Sequence, residues 1–232
     1  MKSLSSKENK LDDLIIVVSG LPRSGTSMMM KMLEACNMPL LTDSIRQPDE
    51  DNPKGYYEFE RVKDLEQDNS WFDVARGMAV KVVSPLLRYL NTDKKFRYKV
   101  IFMLRNIDEI LSSQKKMANR LSHEEDNIEE NILRQNYFRH LEEVKDWLRQ
   151  NENIEVMYVS YADVINDPLP AAENIAAFLG INLDIHEMAG IIDNSLYRNR
   201  TGQSHDSTFS AALEQSDNYE IIMDRLKQLG YL

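Results

Sequence analysis

Leu14-Ile15-Ile16-Val17-Val18-Ser19-Gly20-Leu21-Pro22-Arg23-Ser24-Gly25-Thr26-Ser27 holds a strand, a loop and a helix start in succession. A β-branched apolar run stops at Gly20, a short loop closes at Gly25, and a stretch of Met, Lys, Leu and Ala follows. Strand, tight loop and helix N-terminus together offer backbone N–H groups and the positive end of a helix dipole to an anion. The glycines remove the Cβ atoms that would hold an anion away from the backbone. Ser24, Thr26 and Ser27 add hydroxyls, and Arg23 sets a cation inside the loop.

Gly20 and Gly25 keep the G-x-x-x-x-G spacing of the nucleotide-triphosphate loop, but Thr26 stands where that loop has its lysine. The positive charge lies earlier, at Arg23. Without a lysine reaching the β- and γ-phosphates, triphosphate hydrolysis loses a main electrostatic support.

Outward from the loop, strand one is expected over about Leu14–Ser19 and a first helix over about Gly25–Asn37. Met28, Met29, Met30, Met32 and Leu33 make that helix apolar on three sides, the pattern of a buried helix. Pro48, Pro53 and Gly55 punctuate an ordered loop, and a helix is expected from near Glu60 to Val74. Ala79–Val83 reads as a second strand stopped by Ser84-Pro85, and Tyr98–Leu104 as a stronger third, followed by a helix carrying Ile107, Ile110 and Leu111. Across His123–Asn151 apolar residues recur every three or four positions, which predicts an amphipathic helix. Ile154–Val159 is a fourth strand. Asp167-Pro168 caps the next helix, Gly180 ends it, and Ser216 caps a last helix through Leu229.

Strands alternating with helices predict an α/β, three-layer P-loop-type domain with a mainly parallel central sheet flanked by helices. Residues 1–13 are expected to form a flexible leader, and 14–232 a single domain. In such sheets ligands bind beyond the carboxyl ends of the strands. Arg23, Ser84, Arg105 and Tyr161 each follow a strand.

A formal net charge of −10 argues against general nucleic-acid binding, which needs broad basic surface. A small polyanion remains compatible where positive charge is concentrated locally. Cys36 is the only cysteine, so no intrachain disulfide forms, and its place in the Met-rich helix suggests a buried thiol. The apolar run from Leu14 spans about eight residues, too short for a membrane helix and wrongly flanked for a signal peptide. No membrane span and a cytoplasmic location are therefore expected. No metal-ligand cluster is evident, so no metal is expected.

A second stretch is Arg105-Asn106-Ile107-Asp108-Glu109-Ile110-Leu111-Ser112-Ser113, where an arginine at a strand end is followed eight residues later by a serine. With Pro22-Arg23-Ser24-Gly25-Thr26, it resembles the sulfotransferase family. The resemblance implies 3′-phosphoadenosine 5′-phosphosulfate (PAPS) as co-substrate. Pro22, Arg23, Ser24, Gly25, Thr26 and Ser27 would hold its 5′-phosphosulfate, and Arg105 and Ser113 its 3′-phosphate. The arginine in the loop is similar to the carbohydrate and tyrosylprotein branches. Tyr161-Ala162-Asp163-Val164 with Asp167-Pro168 resembles the family's Y-E-D-L…P segment, whose tyrosine contacts the adenine. The alternative for Tyr161 is a strand-end ring that seals the core.

The chain departs from the small-molecule branch at Lys81-Val82-Val83-Ser84-Pro85, where a K-T-H-L-P run carries the histidine base. Lys81 remains to assist the sulfuryl group, but Val83 replaces the histidine. The resemblance points instead to Glu58 as base, in Asn52-Pro53-Lys54-Gly55-Tyr56-Tyr57-Glu58, whose aromatics could line a pocket; a structural role for Glu58 is the alternative. Among the four histidines, His205 is the rival. Tyr197–Gly202, with Arg198 and Arg200, is either the segment that grips the 3′-phosphate or a basic exposed loop.

The expected function is sulfuryl transfer from PAPS to a hydroxyl or amine of a small-molecule or glycan acceptor. A P-loop nucleotide or small-molecule kinase and a non-catalytic nucleotide-binding protein of the same fold are the alternatives.

Overall fold

A computed structural model describes residues 13–43, 45–50, 52, 55–122, 129–192 and 217–232. β1 (Leu14–Gly20), β2 (Ala79–Lys81), β3 (Arg97–Leu104) and β4 (Ile154–Ser160) form a parallel sheet in the order β2-β1-β3-β4. Seven α-helices lie among the described residues: α1 (Thr26–Ala35), α2 (Ile107–Ser122), α3 (Glu130–Gln150), α4 (Tyr161–Asn166), α5 (Pro168–Leu179), α6 (Ile185–Gly190) and α7 (Asp217–Gln228).

Side chains of a strand alternate between faces, so β1 supplies two cores at once. Leu14, Ile16 and Val18 pack with the Met-rich face of α1 and with α4, α5 and α6. Ile15 and Val17 pack on the other face with Trp71, Phe72, Phe102 and residues of α2, α3 and α7. A parallel sheet buried on both faces needs such a continuous apolar strand. Each fully buried side chain of this kind contributes about 1.5–3 kcal/mol relative to exposure. The register matters for the site: Gly20 lies opposite Met103, Val18 opposite Lys81, and Leu104 opposite Ser160. All four strands therefore end at one edge, and Arg23, Lys81, Arg105 and Tyr161 come out there.

The helix expected over Glu60–Val74 is absent. A 3₁₀ turn covers Glu60–Val62, and turns continue to Gly77. Trp71 and Phe72 are both about 1% exposed and stack with ring centroids 4.4 Å apart. Adjacent residues on a helix point about 100° apart, so burying this pair together favours turns. Asp68 reinforces them by accepting the Ser70 N–H and the Arg61 guanidinium. β2 ends at Lys81 rather than Val83, because the backbone enters a 3₁₀ turn over Ser84–Tyr89 with Pro85 in its first positions. Two short helices escaped the sequence pattern. Ser160 caps α4 by accepting from the Asp163 N–H, and Asp184 caps α6 by accepting from those of His186 and Glu187. Both follow a cap residue with an acid three positions on, a start signal that was legible.

Candidate active site

The loop after β1 is held in an unusual backbone conformation. Gly20, Arg23 and Gly25 have φ of 145°, 75° and 104°. A left-handed arginine costs about 1 kcal/mol or more and persists only where its surroundings hold it. Three contacts, one from the residue after β3 and two involving α2, do so. Arg105 Nη1 donates to the Arg23 carbonyl at 3.1 Å, Arg23 Nε donates to Ser113 Oγ at 3.0 Å, and Gln114 Nε2 donates to the Pro22 carbonyl at 2.9 Å. Gly25 is the N-cap of α1 and supplies no side chain to the first-turn amides, which stay available to an anion. Ser24 Oγ is buried with no hydrogen-bond partner among the described residues. Thr26 is buried beside it. An orphaned hydroxyl, uncapped amides and a cation in one loop fit an anionic group.

Arg105 Nε also donates to Glu109 Oε2 at 2.9 Å, and its guanidinium lies 4.3 Å above the Tyr161 ring. A Cβ at Gly25 would come within 2.5 Å of that same ring, so loop, tyrosine and Arg105 form one stack. Leu104, Arg105, Asn106, Glu109, Ser160, Tyr161 and Ala162 line a pocket beside it. Burial pushes the Tyr161 phenol up, and the Arg105 charge offsets part of that shift.

On the other side of Arg23 lies a second cluster. Lys81 is 3% exposed and donates to the Tyr56 carbonyl and to Glu58 Oε1, the latter at 3.1 Å. Arg46 donates to the same Oε1 at 3.3 Å and stacks 3.7 Å above the Tyr56 ring. Glu58 Oε2 is buried with no partner among the described residues. Burial drives Lys81 down to about 8, opposed by the Glu58 charge and aided by the nearby Arg46 and Arg23 charges. Ser27 ties this cluster to α1: its Oγ donates to the Tyr56 carbonyl at 3.2 Å and accepts from Asn52 Nδ2 at 3.0 Å.

A strand-end phosphate-type loop with its cation at Arg23 thus faces a buried lysine–glutamate pair across the sheet edge. The family model of the sulfotransferase domain matches residues 11–218 of this chain. The chain belongs to the sulfotransferase family. No curated protein matches it. Among solved structures, the sulfotransferase domain from the Synechococcus PCC 7002 olefin synthase is 18% identical, with a TM-score of 0.50 over 97% of this chain and 98% of that one. A mouse sulfotransferase crystallised with PAP is 20% identical, with a TM-score of 0.53 over 90% of this chain and 74% of that one. At these identities the likeness is one of fold, an α/β sandwich around a parallel sheet.

Within this sulfotransferase, Pro22, Arg23, Ser24, Gly25, Thr26, Ser27, Arg105, Ser113 and Tyr161 gather at the end of β1 and β3, with Lys81 and Glu58 next to them. Ser84 does not join them. It is buried, with its Oγ 2.9 Å from His140 Nε2. Tyr57 also turns away from Glu58, its hydroxyl donating to Glu34. Arg198, Arg200 and His205 lie outside the described residues. Sequence reasoning missed Arg46, Gln114 and Tyr231. Their contacts come from positions as far as 184 residues apart, and no local pattern marks them. Glu109, in the first turn of α2 and four residues after Arg105, was legible as an ion-pair partner.

Proposed function

We propose that this protein transfers a sulfuryl group from PAPS to a hydroxyl or amine of a small-molecule or glycan acceptor. The observation that carries this reading is the meeting of Arg105 and Ser113 with Arg23: Ser113 accepts from the Arg23 side chain and Arg105 donates to the Arg23 carbonyl, so residues assigned to two different phosphates of one nucleotide are joined at Arg23. Pro22 to Ser27 cradle the 5′-phosphosulfate through backbone amides, hydroxyls and the Arg23 guanidinium. Arg105 and Ser113 meet the 3′-phosphate, with Arg198 and Arg200 as further cations, and Tyr161 stacks toward the adenine.

In the transfer, the acceptor oxygen or nitrogen forms a bond to sulfur as the bond from sulfur to the 5′-phosphate oxygen breaks. Glu58 receives the acceptor proton, for which its unpartnered Oε2 is the available oxygen. Arg23 and Lys81 balance charge on the leaving phosphate. Each such preorganised donor is worth about 2–4 kcal/mol in a transition state.

Calorimetry with adenosine 3′,5′-bisphosphate against ATP with magnesium tests the reading. Tight binding of the bisphosphate and weak binding of ATP are expected. The reverse order would replace the sulfotransferase reading with the kinase one.

A further inference from the structure

Tyr231 lies far from every motif in the sequence, yet the fold sets it inside the transfer site. After α7 the chain turns at Gly230, whose φ is 71°, and Tyr231 N–H closes the turn onto the Leu226 carbonyl at 2.9 Å. Arg46 fastens this turn by donating to the carbonyls of Leu229 and Gly230 at 2.9 and 3.0 Å. The ring is 7% exposed, with Arg46 4.9 Å and Lys81 Nζ 5.5 Å from its centroid. It lines a crevice with Glu58, Lys81, Val83 and Leu86. Burial pushes the phenol's pKa up, and the charge of the neighbouring Arg23 guanidinium opposes that shift.

A guanidinium carries donors only, so toward Arg23 the phenol oxygen can serve only as an acceptor, and its own proton is left to donate. Glu58 does not take that proton: Oε1 receives Arg46 and Lys81, and Oε2 has no partner among the described residues. A phenylalanine would fill the space between Arg46 and Lys81 equally well. A hydroxyl beside the lysine–glutamate pair and near the loop cation suits an anion held by that cation.

We propose that Tyr231 is a further catalytic residue of this site, whose phenol donates a hydrogen bond to an oxygen of the donor's sulfuryl group. The proposal rests on the PAPS reading above. It commits the phenol to the sulfuryl oxygens, which adenosine 3′,5′-bisphosphate lacks.

Calorimetry on the wild-type protein and on Tyr231→Phe, each with PAPS and with adenosine 3′,5′-bisphosphate, separates the possibilities. The expected result is PAPS affinity reduced about tenfold in the variant, the scale of one charge-assisted hydrogen bond. Bisphosphate affinity stays within twofold, and the melting temperature is unchanged. Equal weakening of both ligands, or of neither, would reduce Tyr231 to a packing role and overturn the proposal. An intact-mass gain of one sulfate on Tyr231 after incubation with PAPS would also overturn it, making the phenol an acceptor. Wild-type protein that binds neither ligand would sink the PAPS reading itself, and the Tyr231 role with it; that result is distinct from a wild type that binds both while the variant loses nothing.

Discussion

At Lys81 burial and charge pull in opposite directions. It is almost wholly enclosed, which favours the neutral amine, while Glu58 at 3.1 Å favours the ammonium. Burial dominates and brings it down to about 8. Charge stabilisation by Lys81 requires its proton, so transfer is expected to plateau below pH 8 and to fall as pH rises through that value. The stability effect has the opposite sign. Between pH 8 and its unfolded value of 10.5 the unfolded chain binds a proton here that the fold does not, so this group adds stability as pH rises. A rate profile for PAPS consumption, level from pH 7 to 9.5, would remove Lys81 from the reaction. Lys81→Met is expected to abolish the alkaline limb together with most of the rate.

At the scale of elements, α2 is a clamp on the loop after β1. One helical turn presents Ser113 to Arg23 and Gln114 to the Pro22 carbonyl. Gln114 is fully buried, and its Oε1 accepts from the Tyr137 hydroxyl of α3 at 2.7 Å and from Arg225 Nε of α7 at 3.3 Å. Three helices thereby meet on a single side-chain amide beneath the phosphate loop. Arg225 is itself 1% exposed, so removing an acceptor from it is expensive. Gln114→Ala is expected to destabilise the fold by roughly 3 kcal/mol, and to weaken adenosine 3′,5′-bisphosphate because Arg23 loses its support. Urea unfolding measures the first effect. A midpoint unchanged from wild type would show that the loop is held by Ser113 and Arg105 alone.

For the molecule as a whole, a buried histidine is expected to contribute to the acid limit of stability. His140 on α3 sits 6% exposed against Ser84, in the core between the sheet and the helices. Burial and the Arg88 charge push it down to about 4 from 6.5. Between those values the unfolded chain is protonated and the fold is not, so stability is lost as pH falls through this window. A loss on the order of 3 kcal/mol is expected across it. Unfolding midpoints at pH 7 and pH 4.5 are expected to differ less in His140→Gln, which can still hydrogen-bond Ser84, than in the wild type. Equal differences would assign acid loss to other groups. Net charge has a related logic: the chain is strongly acidic, yet Arg23, Arg46, Lys81 and Arg105 collect at one sheet edge, each placed there by a different segment. A small polyanion is attracted locally while an extended one is repelled.

What the linear chain determined was whatever depends on neighbours a few residues apart. The apolar run ending in Gly20, the loop closed by Gly25 and the Met-rich helix behind it specify a strand–loop–helix without reference to the rest of the protein. The spacing from Arg105 to Ser113 is likewise internal to one strand end and one helix. The turns over residues 60–77 escaped because the stacking of Trp71 on Phe72 depends on the sheet face they cover. Tertiary structure alone decided that the two phosphate-type motifs would touch through Arg23. It also decided that Arg46 would bridge Glu58 to the backbone after α7, and that Tyr231 would come to rest between Lys81 and Arg46. Contacts at such separations arise when two amphipathic helices bury their faces on one sheet, and burial fixes which side chains end as neighbours without leaving a period in the sequence. The loop announced an anion site; the packing of α2 and α7 decided which side chains stand beside that loop.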